Sequence, residues 1–256
     1  MNEELKETIN ESLKQGYRQD GRQNEEYRKI EIELDVIQTA EGSARVKCGD
    51  TEVIAGVKLS VGTPFPDQPE DGVLMVGAEL LPLSNPDFES GPPSIESIEV
   101  ARVIDRGIRE SKVIDTRKLC ITKGEKVWLI SVDICPINTD GNLIDVGALA
   151  TIAALKSTTF PEYEDKRVDY KKKTKEKLPM KAWPITVTVV KIGDNYLIDP
   201  TEAEEKALDA RLTAAFTADG KLCALQKGGD SPLLIQDIDR MIDLAQEKSH
   251  ELRKLL

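Results

Sequence analysis

Ser131-Val-Asp-Ile-Cys-Pro-Ile-Asn-Thr-Asp-Gly-Asn-Leu-Ile-Asp145 runs straight into Val146-Gly-Ala-Leu-Ala-Thr-Ile-Ala-Ala-Leu155. The first stretch reads as a β-strand ending in a sharp Asp140-Gly141 turn. The small apolar residues after it read as the start of a buried helix. A helix that opens off a glycine turn gathers free N–H groups and the positive end of its dipole at one point, which is the geometry of an anion site. The residues at that point are Asn142, Leu143 and Ile144. No Lys, Arg, Ser or Thr follows Gly141, and Asp145 adds a negative charge. The backbone suits a phosphate and the side chains do not.

Outward from this stretch the chain patterns as an α+β protein. The N-terminal residues read as a helix ending near Gln15-Gly16. Three strands follow between Tyr27 and Leu59, the last two joined by a tight Cys48-Gly49-Asp50 hairpin. Gly62 to Gly72 is a loop, and Val73 to Leu83 resumes strand alternation. Ser94 is placed to cap a helix reaching about Glu110, and Trp128 to Ile134 is the strand that leads into the turn. Tyr170-Lys-Lys-Lys-Thr-Lys-Glu-Lys177 lies in a charged stretch without apolar periodicity, which reads as a solvated linker. Beyond Trp183-Pro184 two more hairpins are expected, around Gly193-Asp194 and Asp219-Gly220. A final helix is expected from Ser231-Pro232, with Ile235, Ile238, Ile242, Ala245, Leu252 and Leu256 along its apolar stripe. The organisation predicted is an N-terminal helix with its connecting segment (1–27), a first unit (28–160), a charged linker (161–182) and a second, related unit with the C-terminal helix (183–256).

Composition narrows the chemistry. The chain has 256 residues, a formal net charge of −11 and one histidine. A chain of this length buries roughly 70–75% of its unfolded surface and needs no metal or disulfide staple. His250 stands alone near the C-terminus, so histidine-based acid–base or triad chemistry is excluded. The four cysteines are widely spaced with no C-x-x-C pair, which argues against a zinc site and for reduced thiols in a cytoplasmic protein. No apolar run approaches the ~20 residues of a membrane span, and the charged N-terminus is not a signal peptide. A pI near 4.8 excludes a free-standing nucleic-acid binder with a basic face. Contact with RNA or phosphate must then come from local arginines or from a partner.

Such arginines exist. Arg102, Arg106 and Arg109 fall at i, i+4 and i+7 within an arc of roughly 60° on the helix that Ser94 opens. Val100, Val103, Ile104 and Ile108 occupy the other side. Three guanidiniums on one face suit bidentate phosphate contacts. The competing reading is an exposed face whose arginines pair along the helix with Glu99, Asp105 or Glu110.

Arg18-Gln-Asp-Gly-Arg22, followed by Glu41-Gly-Ser-Ala-Arg-Val-Lys-Cys-Gly-Asp-Thr51, resembles the opening signature of the RNase PH family. The arginine helix, the Asp140-Gly141 turn and the Asp199-Pro-Thr-Glu segment follow in that family's order, over about residues 16 to 250. The resemblance implies an RNase PH-like fold of two related βαβ-type repeats with mixed sheets and packed helices. It also implies assembly into six-membered rings that degrade RNA from its 3′ end with phosphate as nucleophile. Active members carry a Gly-Gly-Thr-Arg or Gly-Ser-Arg type loop for that phosphate. The corresponding Gly141, Asn142, Leu143 and Ile144 form a degenerate version. Losing one such contact typically costs on the order of 10²–10³ in rate.

Asp199, Glu204, Glu205 and Asp209 lie where the family keeps carboxylates for metal or general-acid work, and also read as an ordinary capped turn. The pattern most resembles the non-catalytic RNase PH-like subunit of archaeal exosomes. That implies no cofactor, no metal and no catalytic residue, with Asp199 and Asp209 vestigial. The partners implied are a catalytic RNase PH-like subunit in a hetero-hexameric ring (a trimer of heterodimers), the RNA-binding cap proteins and single-stranded RNA. Arg102 and Arg106, with Arg109 beside them, would grip RNA phosphates. The alternative is an active phosphate-dependent exoribonuclease that uses Asp199 and Asp209.

Overall fold

A computed structural model describes residues 3–164 and 167–256. Two sheets and the helices between them account for most of the chain. The first sheet holds β1 (Ile30–Leu34), β2 (Gly42–Cys48), β3 (Thr51–Gly62), β4 (Val73–Ala78), β5 (Cys120–Thr122) and β6 (Lys126–Asn138). Its order is β1-β2-β3-β6-β4, with β5 paired to β6. All pairs are antiparallel except β4 with β6, which the helix α2 (Ile95–Glu110) joins as a crossover. The second sheet has the order β10-β9-β11-β12, from β9 (Ile185–Ile192), β10 (Asn195–Ile198), β11 (Ala210–Phe216) and β12 (Leu222–Gly228).

The helix α3 (Leu143–Ser157) is the hinge of the packing. It touches β2 and β3 of the first sheet and β9 of the second. That position explains its composition. A helix with sheets on two sides is buried almost all round, and small residues such as Ala148, Ala150, Ala153 and Ala154 bring backbones close. Gly42 shows how tight the approach is: a Cβ there would lie 2.5 Å from the Ala154 carbonyl oxygen and 2.8 Å from the Thr158 Cα. β9 is likewise covered on both faces, which accounts for its unbroken Ile185-Thr-Val-Thr-Val-Val190 run.

Two further helices complete the second half. α5 (Ile235–Arg253) packs on β9 and β11, and the capped turn expected after Asp199 is a short α4 (Glu202–Ala207), held by a capping box between Thr201 and Glu204. The helix α1 (Glu3–Lys14) docks on this half as well. Ile9 and Leu13 pack with Val190, Ile192, Leu197 and Ala207 in a small separate cluster. Its apolar side is thus covered within the chain.

Two sequence expectations need correction. The charged stretch within 161–182 is not a solvated linker: β7 (Thr159–Glu164) and β8 (Arg167–Lys177) form an antiparallel ribbon. Phe160 and Tyr163 stack against Trp128 at 5.2 and 5.8 Å, and Lys58 lies over the Tyr170 ring. A two-stranded ribbon with β8 mostly in water has little apolar alternation for a sequence to display. The final helix begins at Ile235, not at Ser231-Pro232, where the Asp237 carboxylate accepts the Leu234 N–H at 2.9 Å. Its buried face is Met241, Leu244, Ala245 and Leu252, while Ile235 is 79% exposed.

Candidate functional site

Gly141 and Asn142 both adopt left-handed backbone, with φ of 76° and 56°. Gly141 has no alternative there. A Cβ would strike the Pro200 carbonyl and come within 2.6 Å of Thr201 C and 2.7 Å of Glu202 N. The turn is therefore pressed directly onto the Pro200–Glu202 backbone of the other half. Thr51 fixes it from below: its hydroxyl donates to the Gly141 carbonyl at 2.7 Å and accepts from the Asp140 N–H at 3.0 Å.

The chain itself fills the anion position at the start of α3. The Asn142 N–H donates to Glu205 Oε1 at 2.9 Å, and Asn142 Nδ2 donates to Asp199 Oδ1 at 2.7 Å. Leu143 is buried in the core and Ile144 packs against it, so neither side chain faces the turn. Internal carboxylates thus meet the Asn142 N–H and side chain at the positive end of the helix. Burial pushes Glu205 up to about 7, against the hydrogen bond from Asn142. Asp145 is turned away, with Oδ2 accepting the Thr188 N–H of β9 at 2.9 Å. Burial raises it to about 7 as well.

Arginines from the start of the chain complete this arrangement. Arg28 holds Asp199 through both oxygens, at 2.8 and 2.7 Å, and reaches Asp140 at 3.0 Å. Arg22 adds a bond to Asp199 Oδ2 at 2.8 Å. Burial alone would raise Asp199, but the two guanidiniums overcome it and hold the carboxyl below its ordinary range. Asp199 is also left-handed, with φ 50°, a strained state for a non-glycine residue that these contacts over-determine. Arg18 is fully buried and grips Glu204 bidentately, at 2.9 and 2.6 Å, while donating to the Ile198 and Asp199 carbonyls. Sequence inspection marked Arg18 and Arg22 only as part of a motif and missed Arg28. Glu204 and Asp199, which they share, lie more than 170 positions away, and no local signal connects them.

Asp209 belongs to a different group of contacts. Lys6 of α1 reaches it at 2.6 Å and the Gly193 N–H at 2.7 Å. Those two contacts outweigh its partial burial and keep it below its ordinary range. Asp199 and Asp209 share no hydrogen-bond partner: Arg22 and Arg28 hold the first and Lys6 the second. Among the described residues no cluster of three or more His, Cys, Asp or Glu is placed to hold a metal ion. No helix among them is long and apolar enough to cross a membrane.

The arginine face of α2 divides. Arg109 pairs with Asp105 at 2.7 Å and donates to the Leu74 carbonyl at 3.0 Å, which is the along-the-helix pairing weighed for all three. Glu99 is taken at 2.6 Å by Arg211 of β11, while Glu110, four residues beyond Arg106, forms no ion pair among the described residues. Arg102 and Arg106 are left exposed, and among the described residues neither has an ion-pair partner. Ser94 caps this helix as expected, accepting the Ser97 N–H at 3.1 Å.

Known proteins share this arrangement along the whole chain. The model of the 3′ exoribonuclease family, domain 1 (RNase PH) matches residues 26–161, and that of domain 2 matches residues 182–248. Over 251 residues the chain is 46% identical to the exosome complex component Rrp42 of Methanosarcina acetivorans, spanning 98% of this chain and 92% of that protein. Identity to the Archaeoglobus fulgidus protein of the same description is 46% over 243 residues, 94% of this chain and 92% of that one. A solved structure described as the Archaeoglobus fulgidus exosome with RNA bound to the active site matches with a TM-score of 0.92 and 44% identity, covering 98% of this chain and 97% of that chain. Rice Rrp46, at 19% identity and a TM-score of 0.69, shares the fold.

Proposed function

Because the chain belongs to the RNase PH family of 3′ exoribonucleases, we propose that it is the non-catalytic ring subunit of an archaeal-type exosome. One observation carries this reading: the place for attacking phosphate is taken by Glu205 and Asp199 of the chain itself. Phosphoryl transfer depends almost wholly on positioning and charge neutralisation, and residues 141–145 offer no cation and two carboxylates nearby. The degenerate Gly141, Asn142, Leu143 and Ile144 turn serves structure. Asp199 and Asp209 hold the two halves and α1 together, and neither is catalytic.

The subunit's work is to scaffold an active RNase PH-like partner in a hetero-hexameric ring, three heterodimers in all, and to bind single-stranded RNA next to that partner's active site. RNA-binding cap proteins dock on the same ring, in the cytoplasm. Arg102 and Arg106 supply the phosphate contacts. What supports them is their exposure and lack of a partner in a chain whose other arginine pairs on α2 and β11 are closed. Arg109 is a helix brace and contributes little to RNA.

The test is reconstitution. The purified chain, given phosphate, Mg²⁺ and single-stranded RNA, should release no nucleoside diphosphate. Mixing it with a catalytic RNase PH-like partner from the same cell should yield a mixed hexamer with phosphate-dependent 3′ shortening. Phosphorolysis by the chain alone, abolished by Asp209→Asn, would establish the alternative of an active enzyme.

A further inference from the structure

On β8, Tyr170-Lys-Lys-Lys-Thr-Lys-Glu-Lys177 sets five lysines against one glutamate, in a chain of formal net charge −11. The facing strand adds no charge there, since Lys177 is in register with Thr159 and Lys173 with Pro161. Glu162, Glu164 and Asp169 lie toward the other end of the ribbon. Two of the lysines are used within the chain. Lys172 pairs with Glu162 at 2.8 Å, and Lys173 donates to the Ala40 carbonyl at 2.7 Å. Lys171, Lys175 and Lys177 are exposed and have no ion-pair partner among the described residues. They lie along at most about 20 Å of extended chain. A net charge of −11 is an average over the whole surface and does not describe this ribbon.

Tyr170 stands at the head of the lysine run. Lys58 is fixed by Glu41 and by the Thr39 carbonyl, both at 2.9 Å, and its ammonium lies 4.8 Å from the centre of the Tyr170 ring. The aromatic side chain is therefore held in place, yet the residue is 48% exposed. It borders an open groove of about 600 Å³ between the end of β3 and the turn that joins β5 to β6. Gly62, Thr63, Glu125 and Lys126 line the far side of that groove.

We infer that Tyr170 and the lysines after it form a surface for single-stranded RNA, with a base stacked on the Tyr170 ring and backbone phosphates on Lys171, Lys175 and Lys177. An aromatic platform beside a track of cations is how proteins hold a single strand without reading its sequence. An acidic polypeptide would use the cations but has no base to lay on the ring. Lysines on an open edge strand also deter pairing with other strands, a role that calls for neither Tyr170 nor the groove. The surface lies on a different element from Arg102 and Arg106. It is testable on the chain alone, so it stands or falls apart from the ring-subunit reading.

Fluorescence anisotropy of the purified full chain with a labelled oligouridylate of about 20 nucleotides, across a salt series, tests this. The triple variant Lys171→Ala, Lys175→Ala, Lys177→Ala should flatten the slope of log affinity against log salt by about 2, as three lost phosphate contacts require. Tyr170→Ala should weaken binding about five-fold or more with the slope unchanged, because stacking releases no counterions. The exposed lysines Lys14, Lys118 and Lys254 provide the control, since their joint replacement by alanine makes the same change in net charge elsewhere. An equal effect from that control, or full parental affinity and slope in the ribbon variants, would overturn the assignment. Displacement of the RNA by poly-glutamate at equal charge would also overturn it and assign the surface to an acidic polypeptide.

Discussion

The N-terminus of α3 and the outer face of α2 are both built to meet a phosphate, and they have opposite fates. At α3 the positive helix end is answered by Glu205 and Asp199, and Asp199 is answered in turn by Arg22 and Arg28. On α2, Glu99 goes to Arg211 and Asp105 goes to Arg109, and Arg102 and Arg106 keep none. An anion-binding geometry turns inward once its own chain supplies the anion. The α2 face keeps two open cations, with two of its neighbouring carboxylates, Asp105 and Glu99, diverted elsewhere.

The contrast is sharpest in stability. Asp199→Ala should destabilise the fold by about 3–5 kcal/mol, because it removes the buried carboxylate that Arg22 and Arg28 share and leaves them only the partly exposed Asp20 and Asp140. Chemical denaturation measures this, and a loss below about 1 kcal/mol would show that the network is ornamental. Arg102→Ala with Arg106→Ala should stay within about 0.5 kcal/mol of the parent in the same assay.

RNA binding should reverse the ranking. In the reconstituted ring, Arg102→Glu with Arg106→Glu should weaken RNA affinity with hexamer formation intact. With the double alanine variant, the slope of log affinity against log salt should flatten by about 0.7 per arginine lost. An unchanged slope would break the comparison at its second half.

The α3 site should also respond to pH in two opposite directions. Asp145 and Glu205 have folded values raised to about 7. In the folded chain they hold their protons through a range where the unfolded chain has lost them. Their contribution is therefore full below the ordinary carboxylate range and is lost as pH rises toward 7. Asp199, held low, works the other way and loses its contribution as pH falls. Asp145→Asn keeps the acceptor for Thr188 and removes one titration. It should flatten the decline in melting midpoint between about pH 4 and 7, and a decline identical to the parent's would assign the slope elsewhere. The smallest effect expected is that of Arg109→Ala, about 0.3–0.5 kcal/mol from its pair with Asp105, with RNA affinity unchanged.

Much of this was legible in the amino-acid order because it is local. The Asp140-Gly141 turn, the small-residue helix after it and the i, i+4, i+7 arginines are patterns within one or two turns of chain. The pairs that close the α3 site are not local: Arg18 meets Glu204 across 186 positions and Arg28 meets Asp199 across 171. A sequence shows that Asp199 is acidic, but not that its charge is already matched. Arg109 and Arg106 look alike by spacing, and what separates them is that Arg109 pairs with Asp105 and reaches the Leu74 carbonyl of β4. The β7–β8 ribbon escaped notice because it is anchored by a few aromatic contacts at one end and is otherwise wet.

The docking of α1 on β9 and β10 sets an order of events for synthesis. This helix leaves the ribosome well over a hundred residues ahead of the strands that cover Ile9 and Leu13. At roughly 5–20 residues per second it waits on the order of ten seconds or more, with those side chains unsheltered. The earliest helix on this chain is thus among the latest to settle, and a nascent polypeptide released before residue 190 would carry it as an adhesive end.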